Sequence, residues 1–330
     1  MRRREFIAAV GSAIAIPLAA WAQNNAGVRR VGVLMGYAES DAEAQSWLRA
    51  FVQELERSGW SLGRNLEVHA RWASGDTAEM QALAKELVEL KPDVILSQST
   101  PGTGAVSKET RTIPIVFVTV SDPVGAGFID SLSHPGGNAT GLINMEASMA
   151  GKWLELLKEI APDVKRVALM FNPDTAPGHG AYFQRPFQSA ARSLAIEPVL
   201  SPVQNDDEIL KVITSLGREP GGGLVVMTDS FMLVHRATVI RETATHKVPA
   251  IYPLRINAVE GGLLSYGTSN IDLFRRAAPY VDRILRGVKP SELPVQVPFK
   301  YEMAINLKTA KALGLAVPLS LQQIADAVIE

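Results

Sequence analysis

From Val31 onward, short apolar runs alternate with amphipathic stretches, and the two periods differ in the way that strands and helices require. Runs at Val31–Met35, Leu66–Trp72, Val94–Ser97 and Ile115–Val120 are short, rich in β-branched residues and apolar enough to be covered on both faces, as parallel strands are. Between them Trp47, Leu48, Phe51, Val52 and Leu55 share one helical stripe, and Met80, Leu83, Ala84, Leu87 and Val88 share another. Asp76 and Glu79 have the spacing of a capping box opening the second of these helices. A Gly- and Pro-rich loop at His134–Gly141 interrupts the rhythm, which then restarts. Further strands are expected at Val167–Phe171, Pro198–Val203, Leu224–Met227, Ala250–Tyr252 and Leu263–Ser265, with helices at Trp153–Ile160, Tyr182–Leu194 and Phe231–Thr245.

This β-α-β rhythm predicts an α/β fold of two doubly wound parallel-sheet lobes. The two halves also resemble each other: Asp93-Val-Ile-Leu-Ser-Gln-Ser leads through a helix to Ile113-Pro-Ile-Val-Phe, and Leu224-Val-Val-Met-Thr-Asp-Ser leads through a helix to Val248-Pro-Ala-Ile-Tyr. A repeat of about 130 residues implies lobes of similar topology, although ordinary β-α-β patterning produces similar strings. Past Tyr266, the stripe Ile271, Phe274, Ala277, Ala278, Val281, Ile284 and Leu285 predicts a helix returning to the first lobe, with a further crossing near Leu293–Phe299. The expected units are therefore residues 28–144 with 267–298, and 145–266 with 299–330, joined by a multi-crossover hinge.

The first 22 residues read as a cleaved export signal. Arg3-Arg4-Glu5-Phe6-Ile7 fits a twin-arginine motif, Phe6–Ala20 supplies a weakly apolar core, and Ala20-Trp21-Ala22 suits the peptidase. That core is broken by Gly11, Ser12 and Pro17 and is shorter than a spanning helix needs. With no cysteine in the chain, disulfides, thiolate metal sites and a lipid-modified cysteine are excluded, so a soluble periplasmic protein without a lipid anchor is expected. Removing three arginines and one glutamate with the signal takes the formal charge from -1 to -3, which offers no footprint for nucleic acid.

In open α/β sheets, ligands bind beyond the carboxyl ends of the strands, where helix N-termini present backbone N–H groups. The loops at those ends carry Tyr37, then Ser99 and Thr100, then Ser121 and Asp122 in the first lobe. In the second they carry Phe171 and Asn172, Asp229 and Ser230, and Tyr252, with Tyr266 close by. Ser99 and Thr100 precede a helix beside Gly102, which suits a small anion; equally, either hydroxyl caps its own helix. Asp229 occupies the matching place in the other lobe, as a partner for an ammonium group or as the N-cap of the next helix. Tyr37, Phe171, Tyr252 and Tyr266 are positioned to stack on a flat ligand or to fill the core.

Catalytic and cofactor patterns are missing. The segment Val31–Gly36 is not G-x-G-x-x-G, and neither a phosphate loop nor G-x-S-x-G occurs. Histidines 69, 134, 179, 235 and 246 show no metal spacing, so no metal, cofactor or catalysis is expected.

Several motifs in order give the chain a wider likeness: Ile113-Pro-Ile-Val-Phe-Val with Ser121-Asp-Pro-Val-Gly-Ala-Gly, His134-Pro-Gly-Gly-Asn-Ala-Thr-Gly, Gly151-Lys-Trp-Leu-Glu-Leu-Leu-Lys, Val248-Pro-Ala-Ile-Tyr-Pro, Glu260-Gly-Gly-Leu-Leu-Ser-Tyr-Gly and Ile305-Asn-Leu-Lys-Thr-Ala-Lys-Ala-Leu-Gly-Leu. From Val31 to Glu330 it resembles the tryptophan/tyrosine-type ABC transporter substrate-binding family, within the type I periplasmic binding protein fold. The resemblance implies a monomeric receptor that closes on a small solute, an amino acid or other small carboxylate, and presents it to an ABC permease in the inner membrane. It places the ligand loops on Ser99 and Thr100, Ser121 and Asp122, Phe171 and Asn172, and Asp229 with the Tyr266 region. Two other readings compete: an exported α/β enzyme using Asp122 and Asp229 as acid and base, and a sensor that hands its closed form to a membrane signalling receptor. A DNA-binding regulator of the same fold would carry a helix-turn-helix where the export signal stands.

Overall fold

The computed structural model describes residues 27–330, so the export signal expected at residues 1–22 lies outside the described residues. The chain first builds β1 (Arg29–Met35), α1 (Ala42–Arg57), β2 (Leu66–Trp72), α2 (Thr77–Glu89), β3 (Val94–Gln98), α3 (Thr100–Glu109), β4 (Ile115–Val120) and β5 (Ala139–Ile143). These five strands form one parallel sheet in the order β2-β1-β3-β4-β5. Next come α4 (Met149–Ile160), β6 (Arg166–Phe171), α5 (Ala181–Ser193), β7 (Glu197–Pro202), α6 (Asp206–Gly217), β8 (Gly222–Val226), α7 (Ser230–Val234), α8 (Arg236–Thr245), β9 (Ala250–Tyr252), α9 (Arg255–Val259) and β10 (Leu264–Gly267). The chain ends with α10 (Asn270–Leu285), β11 (Glu302–Asn306), α11 (Leu307–Ala312), α12 (Leu319–Ile324) and β12 (Ala327–Ile329).

The second sheet runs β12-β11-β10-β9-β8-β6-β7. Its β7-β6-β8-β9-β10 portion repeats the strand order of the first sheet, which is the topological likeness that the internal repeat implies. The last two strands depart from the parallel pattern: β11 pairs antiparallel with β10, and β12 runs parallel to β11.

Each sheet is covered on both faces because successive side chains point to opposite sides. In the first lobe Val31, Val33 and Met35 pack with α1 and α10, while Leu34, Ile95 and Phe117 pack with α2 and α3. In the second, Val167, Leu169 and Phe171 face α4 and α5, whereas Ala168, Met170 and Tyr252 face α6 and α8. The α1 stripe is buried at Trp47, Phe51 and Leu55, and Asp41 caps it by accepting the Ala44 N–H at 2.9 Å. Asp76 likewise caps α2, accepting the N–H groups of Ala78 and Glu79.

Three expectations change. The loop at His134–Gly141 ends inside β5, where Gly141 is needed because an added Cβ would lie 2.0 Å from the Phe117 carbonyl oxygen. The helix expected over Phe231–Thr245 breaks at His235, whose ring stacks on Phe231 and whose Nδ1 meets Asp206 at 2.6 Å; α8 then starts afresh at Arg236. The C-terminal part adds β11 and β12 to the second sheet. As the apolar stripe predicts, α10 returns to pack beside α1, after which Gln296 bridges Leu142 at the edge of the first sheet before the chain reaches β11. Among the described residues no helix is long and apolar enough to cross a membrane.

Candidate functional site

The two sheets present their carboxyl edges to one another, and a small cavity of about 20 Å³ sits between them. Ser99, Thr100 and Ser121 line it from the first lobe and Thr228, Asp229 and Ser230 from the second. Gln98, Thr119, Asn144, Thr175 and Asn270 complete a wall in which Leu233 is the one apolar side chain.

The first-lobe wall is built from a buried network. Gln98 Oε1 accepts the Gly36 N–H at 2.9 Å, its Nε2 donates to Thr119 Oγ1 at 2.9 Å, and the same hydroxyl accepts the Ser99 N–H at 3.1 Å. These bonds hold two residues in backbone conformations that side chains disfavour. Ser99 lies at φ 73, ψ 161, and Thr119 has φ 55, at an irregularity in the β4–β5 register. A non-glycine residue in the first of these regions costs on the order of 1–3 kcal/mol, and such strain collects where side chains are aimed at ligands. Its result is that Ser99 caps α3, with Oγ 3.4 Å from the Gly102 N–H, while Thr100 opens the helix at the cavity wall.

Asp229 dominates the opposite wall. It is 5% exposed, and its Oδ1 accepts the Met232 N–H at 2.8 Å and the Thr175 hydroxyl at 2.9 Å, while Oδ2 accepts the Asn172 N–H at 3.0 Å. Burial pushes its pKa up to about 6 even though these donors pull the other way. The Phe231 N–H pulls in the same direction, so the carboxylate is well supplied with donors that favour its charged form. The capping role and a place on the cavity wall thus coexist. Beside it the Ser230 hydroxyl is buried with no partner.

Asn144, just past β5, links the walls: its Oδ1 accepts the Ser121 hydroxyl at 2.8 Å, and its Nδ2 donates to Thr228 Oγ1 at 3.4 Å. Farther out, Arg236 Nη1 reaches Asp41 Oδ2 across the lobe boundary at 2.9 Å while its Nε and Nη2 hold Glu260. Leu233 and Leu254 of the second lobe pack into the first lobe's apolar cluster.

Of the residues singled out from sequence, Ser99, Thr100, Ser121, Asp229 and Ser230 come together on this wall, and the other six do not line it. Asp122 instead accepts the Gly125 N–H at 2.8 Å within its own turn, so it does not share the cavity with Asp229. Asn172 contributes its backbone N–H to Asp229 and spends Oδ1 on the Asp174 N–H. Phe171 is turned into the α4–α5 layer, with Gly180 against its ring. Tyr252 points to the opposite face, its hydroxyl 2.9 Å from Thr243. Tyr37 packs edge-on against Trp47, and burial raises its pKa. Tyr266 stacks on Tyr301, and its carbonyl accepts the Trp153 indole N–H. Gln98, Thr119 and Thr228 lie in the same strand-end segments as the residues singled out from sequence, whereas Asn144, Thr175 and Asn270, which sequence reasoning missed, lie outside them. Among the described residues, no group of three or more His, Asp or Glu side chains is placed to hold a metal ion.

Two similar α/β lobes, several chain crossings and a polar cavity at their interface define the class of two-lobed solute-binding proteins. Residues 39–329 match the family model described as ABC transporter substrate binding protein, and the chain belongs to that family. Its function is that of a small-molecule-binding component of an ABC transporter, a class that works outside the cytoplasm. A tyrosine-binding protein from Clostridioides difficile (strain R20291) is 28% identical over 267 residues, covering 81% of this chain and 76% of that protein. Among solved structures, a conserved domain protein from Vibrio cholerae is 26% identical with a TM-score of 0.84, covering 91% of this chain and 99% of that one. An ABC domain from Streptococcus pneumonia in complex with L-Trp reaches the same TM-score at 23% identity, covering 92% and 100%. A ligand-free, open substrate-binding protein with adhesive properties from Clostridium difficile is 27% identical with a TM-score of 0.67, covering 92% and 99%.

Proposed function

We propose that this chain is a periplasmic receptor that closes on an α-amino acid and delivers it to an inner-membrane ABC permease, exported on the twin-arginine signal at residues 1–22 and working as a monomer. The observation that carries this reading is the pairing of Asp229 with Ser99 and Thr100 on facing walls of one cavity. The Asp229 carboxylate, on the cavity wall, suits an ammonium group. Ser99, Thr100 and Ser121 beside the α3 N-terminus, with the unpaired Ser230 hydroxyl, suit a carboxylate. Tyrosine and tryptophan are the first ligands to test, since one relative is named for tyrosine and a structural neighbour was solved with L-Trp.

The lobes stand in a closed arrangement. A cavity of about 20 Å³ holds little more than a water molecule, and Asn144–Thr228 and Arg236–Asp41 both bridge the boundary. A TM-score of 0.67 against the ligand-free, open relative supports the same reading. Solute therefore enters when residues 28–144 with 267–298 turn away from 145–266 with 299–330 about the crossovers, and its contacts to both walls favour reclosure. No turnover is expected, because the family is one of substrate-binding proteins and Asp122 does not share the cavity with Asp229.

A thermal-shift screen of refolded protein against the amino acids, aromatic acids, nucleosides and sugars tests the ligand class. A true ligand at about 100 times its Kd adds about 2.7 kcal/mol of stability. Stabilisation by sugars or nucleosides and by no amino acid overturns the proposal.

A further inference from the structure

Gly75, in the turn between β2 and α2, meets the second lobe where any other residue would carry a side chain. A Cβ built on it would lie 3.1 Å from Val234 Cγ2, 3.5 Å from Val234 Cβ and 3.8 Å from Val234 Cγ1, so the three nearest atoms all belong to one residue across the lobe boundary. The turn is shaped within the first lobe alone. The Ala73 N–H donates to the Met35 carbonyl at 2.9 Å, the Ser74 N–H to the Tyr37 carbonyl at 3.2 Å and the Asp76 N–H to the Ala73 carbonyl at 2.8 Å. Ser74 at φ 45 and Gly75 at φ 81 follow each other in the left-handed region, and the missing side chain of the second leaves a notch.

Val234 is the last residue of α7, and that helix is fixed within the second lobe. Asp229 caps its start through the Met232 N–H, and its end is set at His235, whose ring stacks on Phe231 and whose Nδ1 meets Asp206. The same segment reaches the solute cavity, where Asp229, Ser230 and Leu233 lie on the wall. Asp229 and Val234 are therefore the two ends of one stiff unit, about 7.5 Å apart along its axis. A solute held against the first-lobe wall and pulling on Asp229 carries Val234 toward Gly75, and withdrawal of the second lobe takes both away together.

We propose that Gly75 and Val234 form a closure latch: Val234 seats in the notch left by the missing Cβ, and the size of residue 75 sets how much of the ligand-free protein stands closed. The latch rests on the lobe rotation and the closed arrangement proposed above. Both residues are only partly buried, so the seat lies at the rim of the boundary and neither belongs to a hydrophobic core cluster. Filling the notch opposes docking of the lobes and leaves the folding of each lobe to its own contacts. Solute enters through the open form, so the latch sets how often the cavity is accessible.

The chain has no cysteine, so spin labels on Lys85→Cys in α2 and Lys211→Cys in α6, both exposed, report the lobe separation by pulsed electron resonance in the absence of solute. Gly75→Asn is the variant to compare, because asparagine accepts the left-handed region that most side chains disfavour. It should raise the open, longer-distance population about fivefold. Adding Val234→Ala, which removes both Cγ atoms, should return most of that population to the closed distance. Gly63→Asn, at φ 73 with nothing within 4 Å of an added Cβ, is the control for backbone strain and should leave the distribution unchanged. Val234→Phe enlarges the same contact from the second lobe and serves if Gly75→Asn does not fold. Asp41→Asn, which removes the Arg236 pair, opens the lobes independently. A distribution that Asp41→Asn shifts and Gly75→Asn does not overturns the latch alone; one that neither shifts overturns the closed ligand-free arrangement as well. Opening by Gly63→Asn as large as by Gly75→Asn, or no return on adding Val234→Ala, also overturns the latch.

Discussion

Asp229 is a carboxylate placed where water is scarce, and its raised pKa has two consequences of opposite sign. Unfolded, the group titrates near 3.8; folded, at about 6. Below about pH 4 both states carry the proton, and between about 4 and 6 the folded chain binds more protons than the unfolded one. The stability of the ligand-free protein therefore falls as pH rises through that window, by on the order of 3 kcal/mol, and then levels. Urea unfolding at a series of pH values checks this, and a flat profile from pH 4 to 6 would contradict it. Amino acid binding runs the other way. An ammonium group pairs with the ionised form, so Kd should rise by up to tenfold per unit as pH drops below about 6. Asp229→Asn should weaken binding 10- to 100-fold at pH 7.5 and abolish this pH dependence, as lost charge-assisted hydrogen bonds do.

Helix α3 carries its strain at the first-lobe wall. Ser99, at φ 73 and ψ 161, sits in a region that glycine enters freely. Ser99→Gly removes a strain of about 1 kcal/mol or more at the cost of a few tenths for the cap, so the ligand-free protein should become more stable by about 1 kcal/mol. The same change removes a hydroxyl from the wall and should weaken the amino acid about tenfold. Parallel urea melts and titrations check the pair of effects; a destabilised variant with unchanged affinity would show that Ser99 serves only its helix. The strain itself was not legible in the chain, because it arises from the Gln98–Thr119 network formed by strands β3 and β4 side by side. What was legible is local: nine strands stand within a few residues of their apolar runs, and the loops that close on the cavity follow from the rule that ligands gather at strand carboxyl ends. Strand β5 escaped because the Gly and Pro of its approach mask a strand in which Gly141 accommodates a close carbonyl. Two of the aromatic candidates stay off the cavity wall for a reason of parity: Phe171 and Tyr252 lie on strands, and register turns them into opposite helix layers.

At the scale of the whole molecule, the closed arrangement proposed above rests on few contacts that cross the boundary, and Arg236–Asp41 is the most exposed to test. Arg236 is held within the second lobe by two bonds to Glu260, so its fork is already formed before closure and only Asp41 must arrive. Both partners are mostly shielded, with side chains 17% and 12% exposed, which makes the pair worth more than a surface ion pair. Asp41→Asn keeps a good cap for α1 and leaves Arg236 paired with Glu260, so the change acts on closure rather than on folding. A loss of on the order of 1 kcal/mol in the closed form shifts the closed-to-open ratio about fivefold. The variant should show a larger radius of gyration by small-angle scattering without ligand, and an unchanged radius would mean that closure is governed by the polar walls and the Leu233 and Leu254 contacts alone.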